Sequence, residues 1–150
     1  MKKGAAFWDA SALVPLCVQE ASSRHAHALL NGFLPVVWWG SFTEIHSAIC
    51  RLYRANELTD TEKRGAVARL VVLKDGWREI LPGDHVRDLA VRLLDAHALR
   101  AADAMQLAAA LVWCGEQPAG RTFLCGDKRL TESAKACGFR VEQISGSSAK

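Results

Sequence analysis

Apolar residues along the chain follow two alternating rhythms. Short continuous runs stop at polar, Gly or Pro residues, and between them lie longer stretches in which apolar residues recur three and four apart. The runs at 5–8, 34–39, 77–81, 121–125 and 139–144 predict strands. The spaced stretches predict helices over 12–18, with Ser11 as N-cap and Pro15 near the first turn, and over 20–30, stopped by Asn31-Gly32. A third helix opens at Gly40-Ser41 with Phe42, Ile45, Ile49, Leu52 and Tyr53 as its stripe. A fourth starts at the capping-box pattern Thr59-Asp60-Thr61-Glu62 and buries Val67, Leu70, Val71 and Leu73. Asp84 is the expected N-cap of a helix carrying Val86, Leu89, Ala90, Leu93 and Leu94. Residues 101–114 are apolar nearly all round, and residues 128–137 form a last helix closed by Gly138. Strands alternating with helices predict an α/β sandwich with a mainly parallel central sheet.

Length adds one boundary to this picture. A chain of 150 residues, half of them apolar, forms one domain over 1–144, and the Ser/Gly-rich residues 145–150 have nothing to bury and should fray. The formal charge of +3 permits an anionic partner without identifying one. Five cysteines, odd in number and without a Cys-x-x-Cys pair, read as reduced thiols. The longest apolar stretch, 104–114, is interrupted by Gln106 and falls short of the roughly 20 residues a bilayer demands. Without a leader pattern at Met1-Lys2-Lys3, a cytoplasmic protein is expected.

Chemistry enters through four carboxylates. Asp9 ends the first apolar run, and in parallel sheets the C-terminal strand edge is where ligands bind. Glu44 follows the second strand, Asp103 is the only charge on its apolar helix, and Asp127 follows the run 123–125. Each has a structural explanation: Ser41-Phe42-Thr43-Glu44 fits a capping box, Asp127 can cap the last helix, and Arg100 is a nearby partner for Asp103. Jointly they argue for a cation, because a charge on an apolar helix is costly unless paired or metal-bound. Hard oxygen donors favour Mg²⁺ or Mn²⁺. His25, His27, His46, His85 and His97 have no zinc spacing and read as structural or surface residues. Carboxylate-bound Mg²⁺ suits phosphoryl chemistry. There is no P-loop and no dinucleotide fingerprint.

The order and spacing of these motifs resemble the PIN-domain ribonucleases, and among them the VapC-type toxins of toxin–antitoxin pairs. The motifs are Phe7-Trp8-Asp9-Ala10-Ser11-Ala12-Leu13, Ser41-Phe42-Thr43-Glu44-Ile45, the segment from His97-Ala98-Leu99-Arg100 through Asp103 to Ala108, and Phe123-Leu124-Cys125-Gly126-Asp127-Lys128-Arg129-Leu130. The resemblance covers nearly the whole chain. It implies a three-layer α/β/α fold with sheet order 3-2-1-4-5. Asp9, Glu44 and Asp103 would be catalytic metal ligands, Asp127 a fourth acid, and Ser11 a support. Cys125 departs from the usual Thr or Ser. The resemblance further implies an RNA substrate, a homodimer and an antitoxin whose peptide inserts near the acids; apolar residues of the first two helices would supply the dimer surface. Arg51, Arg54, Arg100, Lys128 and Arg129 are candidate RNA-binding cations, whereas Trp38 and Trp39 read as core. A DNA nuclease, a phosphatase or a catalytically weak PIN-like binding module would fit the same residues.

Overall fold

The structure is a computed structural model that describes residues 3–146, so residues 147–150 of the expected frayed end lie outside the described residues. Five strands, β1 (Gly4–Trp8), β2 (Phe33–Trp38), β3 (Arg78–Ile80), β4 (Thr122–Cys125) and β5 (Arg140–Gln143), form one sheet in the order β3-β2-β1-β4-β5. Every pairing is parallel. The connections are helical: α1 (Ala10–Cys17), α2 (Ser23–Gly32), α3 (Ser41–Arg54), α4 (Asp60–Gly76), α5 (Asp84–Ala96), α6 (Ala101–Trp113) and α7 (Lys128–Cys137).

Alternation along the strands divides the core in two. Ala6, Trp8, Val37 and Leu124 point to one face and are covered by α1 to α4, while Phe7, Val36, Trp38, Phe123 and Cys125 point to the other, under α5 to α7. Three layers result. The strand order reverses at β1, whose two neighbours β2 and β4 carry connections in opposite directions. The C-terminal ends of these strands therefore open into a common crevice, and Asp9 stands at its centre, directly after β1.

Local cues held where the partner lies within one turn. Thr59 and Glu62 form the expected capping box, and Gly138 closes α7 in the left-handed conformation at φ 111°. Elsewhere the structure corrects the sequence reading. Asp9, not Ser11, is the N-cap of α1, and it accepts the Ser11 N–H. The helix thus begins earlier, at Ala10, and Pro15 falls in its second turn, where it cannot donate to the Ser11 carbonyl. The Ser41–Glu44 capping box does not form, because Gly40 is the N-cap and Ser41 is drawn inward. Gly83 rather than Asp84 caps α5. Val71 and Leu94 are exposed, not core. Ser145, expected to fray, donates its N–H to His25 Nδ1. All five cysteines are free, with Cys50 and Cys137 only half-buried. No described helix is long and apolar enough to cross a membrane.

Candidate active site

Asp9 is buried at the end of β1, where its own backbone N–H is bonded to Leu124 O of β4. One carboxylate oxygen, Oδ2, accepts from both the backbone N–H and the hydroxyl of Ser11. The same hydroxyl oxygen accepts the Gly126 N–H at 2.8 Å, so Ser11 ties the end of β1 to the end of β4. This junction packs tightly against Gly126, where a Cβ would stand 3.1 Å from the Ser11 carbonyl oxygen and the neighbouring backbone would have to give by a few tenths of an ångström. Burial pushes the Asp9 carboxyl up to about 6, against the opposing Ser11 hydrogen bonds and with further upward pressure from Asp103 and Asp127.

Glu44 projects from the first turn of α3 and is held from α6. Gln106 Nε2 donates to Glu44 Oε2 at 3.1 Å and to Ser41 Oγ at 2.8 Å. Burial and the charge of Asp9 raise Glu44 to about 7, Gln106 resisting and Asp103 adding to the rise. Asp103, half-buried in the first turn of α6, lies above the usual carboxylate range through burial and Asp127, with Arg100 and Arg129 pulling it down. Among the described residues it has no ion-pair partner, so Arg100 does not neutralise it by contact. Asp127 caps α7, its Oδ1 accepting from the Arg129 and Leu130 N–H groups at 2.8 and 3.2 Å.

All four acids line one cleft of about 700 Å³. It continues into a cavity walled by Arg51, Arg100, Lys128 and Arg129. Arg54, the fifth candidate cation, does not line either, since it sits at the C-terminal end of α3 one turn beyond Arg51. No histidine lines them either. The donor set is one of hard oxygens. Asp9, Glu44 and Asp127 each anchor one carboxylate oxygen and leave the other without a donor among the described residues. That chemistry fits Mg²⁺ or Mn²⁺. Among the described residues no three His, Cys, Asp or Glu side chains are grouped so as to hold an ion.

No family model matches the chain. Two ribonucleases of Mycobacterium tuberculosis, VapC45 of strain CDC 1551 / Oshkosh and VapC49 of strain ATCC 25618 / H37Rv, are each 34% identical to it over 139 residues, 90% of this chain and 92% of theirs. The chain belongs to the VapC ribonuclease family. Solved structures share its fold: PAE2754 from Pyrobaculum aerophilum (TM-score 0.59, 18% identity, 92% of this chain and 89% of that one) and a toxin–antitoxin complex from Klebsiella pneumoniae (0.56, 16%, 83% and 89%).

Two features of this VapC-family site go beyond the sequence reading, which marked Cys125 only as a departure from the usual Thr or Ser and gave Gln106 no role. Cys125, fully buried, receives the Asp127 N–H on its sulfur at 3.2 Å and lies 3.8 Å from Ser11 Oγ, so it takes part in the loop that presents Asp127. Burial and Asp9 push its thiol up to about 12, which leaves it protonated and unsuited to attack. Gln106 is the second; the only sign of it was a polar residue interrupting an apolar helix. Gln106→Leu removes an Oε1 that finds no donor among the described residues but strips the buried Ser41 hydroxyl of its partner, so it should destabilise by about 1–3 kcal/mol. Cleavage should also fall about 10–100-fold as Glu44 loses its anchor. Melting curves and initial rates on the variant check this, and unchanged rates would show that Glu44 needs no positioning.

Proposed function

We propose that this chain is an Mg²⁺- or Mn²⁺-dependent endoribonuclease and the toxin of a toxin–antitoxin pair. The observation that carries the reading is the cleft itself. Carboxylates from the ends of β1 and β4 and the first turns of α3 and α6 line one cleft beside four cationic side chains. The relatives' names supply RNA as the substrate. Asp9, Glu44 and Asp103 would hold the ion, with Asp127 beside them. Bound there, the ion would neutralise phosphate oxygens and lower the pKa of an attacking water.

The chain's own residues divide the remaining work. Ser11 fixes the rotamer of Asp9 and Gln106 that of Glu44, so neither carboxylate spends freedom on finding its place. Arg51, Arg100, Lys128 and Arg129 bind the phosphates on either side, which compensates for bringing a polyanion to four acids. No histidine lines the cleft, Cys125 is buried, and the Ser11 hydroxyl is engaged by Asp9 and the Gly126 N–H, so the attack is assigned to water rather than to a histidine pair or a thiol.

Cleavage should therefore leave a 3′-hydroxyl and a 5′-phosphate. Incubation of RNA, DNA and a phosphomonoester with Mg²⁺, Mn²⁺ or EDTA tests the whole reading. Cutting that survives excess EDTA, or 2′,3′-cyclic phosphate ends, would overturn it. Preference for DNA or the monoester would move the chain to another phosphoesterase class, and inertness on all three to a binding module.

A homodimer and an antitoxin belong to the same proposal. The exposed large apolar side chains do not lie on α1 and α2, where the sequence placed the contact surface, but include Val71 and Val72 on α4 and Val91 and Leu94 on α5. Light scattering at micromolar concentration should give twice the chain mass. A monomer would remove the dimer, and activity indifferent to a co-encoded small protein would remove the antitoxin.

A further inference from the structure

Trp39 is the one tryptophan that the fold does not use as core. Trp8, Trp38 and Trp77 are buried, and Trp113 is half-buried against the α5–α7 core, whereas Trp39 is 53% exposed. The strand's alternation explains this. Trp39 follows Val37 on the same face of β2, but β2 ends at Trp38, so the side chain emerges beyond the sheet, where there is no core to enter. Its backbone is nevertheless fixed, because the Trp39 N–H donates to the Ile80 carbonyl of β3 at 3.0 Å. The next residue is equally constrained, since a Cβ on Gly40 would stand 2.5 Å from Trp38 Nε1. A large aromatic surface is thus held half in water by a rigid strand end, and it lines the cleft that contains Asp9, Glu44, Asp103 and Asp127.

An exposed indole beside a phosphodiester site has a specific use. The cations on the cleft wall grip phosphates and cannot sense bases, whereas an aromatic face offers every unpaired base a stacking surface. We propose that Trp39 is a stacking platform for one unpaired base next to the scissile phosphate, so that it positions the strand and governs KM rather than the chemical step. The proposal rests on the ribonuclease reading above.

The test uses an oligoribonucleotide that the wild type cuts, with each nucleotide around the cleavage point replaced in turn by an abasic ribose, assayed with Mn²⁺ on the wild type, Trp39→Ala and Trp39→Phe. Trp39→Ala should raise KM about five- to a hundredfold and leave kcat within about twofold, with Trp39→Phe recovering most of the loss. At one position the abasic substitution should raise the wild-type KM by the same factor and add nothing to Trp39→Ala. The melting temperature of Trp39→Ala should stay close to wild type, the side chain lying outside the core. Unchanged KM, a loss confined to kcat, or additive losses at every position would overturn the proposal. So would a variant that keeps its KM but loses self-association or inhibition by a co-encoded small protein, which would make the indole a protein contact. A wild type that cuts no RNA would overturn the ribonuclease reading itself, an outcome distinct from equal cleavage by wild type and Trp39→Ala.

Discussion

Replacing Asp103 with Asn is expected to reduce RNA cleavage by about a thousandfold or more, because a carboxylate that holds a catalytic cation contributes several kcal/mol to the transition state. The metal-free protein should remain at least as stable. Asp103 is raised by burial and by Asp127, it raises Asp9 and Glu44 in turn, and among the described residues no ion pair neutralises it. The amide keeps the shape and removes the repulsion. A structural carboxylate would respond in the opposite sense, since removing a cap or a paired charge typically costs about 1 kcal/mol or more. Melting curves of wild type and Asp103→Asn in EDTA and in Mn²⁺, with cleavage rates on the same samples, separate the two. A clearly destabilised variant with an undiminished Mn²⁺ response would make Asp103 a structural residue.

Without metal, the protein is expected to lose stability as pH rises from 5 to 8, the reverse of ordinary acid denaturation. The sign follows from proton binding. Asp9 titrates near 6 and Glu44 near 7 in the folded state, against ordinary values of 3.8 and 4.5, so between these limits the folded chain holds more protons than the unfolded one. Below about pH 4 both states are protonated and there is no penalty. The penalty grows as the folded carboxyls are forced to ionise, and it is complete only above about pH 8, a unit past the Glu44 value. The displacement of Asp9 from 3.8 to about 6 corresponds to about 3 kcal/mol, or roughly 6–12 °C in melting temperature for a domain of this size. Mn²⁺ should flatten the profile and raise the melting temperature at pH 8, a ligand at a hundred times its Kd contributing about 2.7 kcal/mol. Asp9→Asn and Glu44→Gln should each flatten it without metal. A melting temperature in EDTA that climbs steadily from pH 5 to pH 8 would contradict the strained acid pair.

The alternation of strands and helices, and the acids worth watching, were legible from residue order. Those signals are local. Apolar periodicity and the Thr59–Glu62 box act within a few residues, and Asp103 stands out because a charge on an apolar helix is expensive wherever that helix ends up. The family resemblance that the motifs carry implied the sheet order 3-2-1-4-5, which the structure shows. How the acids are held, and what surrounds them, emerged only with packing. Gln106 reaches Glu44 across 62 positions of sequence, and Ser11 reaches Gly126 across 115. No periodicity encodes such pairs, because they exist only once β1, β4, α3 and α6 have packed. The same packing overrode local preference. Asp9 displaced Ser11 as the cap of α1, Ser41 gave up its capping box for Gln106, Arg54 fell outside the cleft, and Trp39 passed the end of its strand into solvent. In each case the residue type was legible, but its partner was fixed by the meeting of elements distant in the chain.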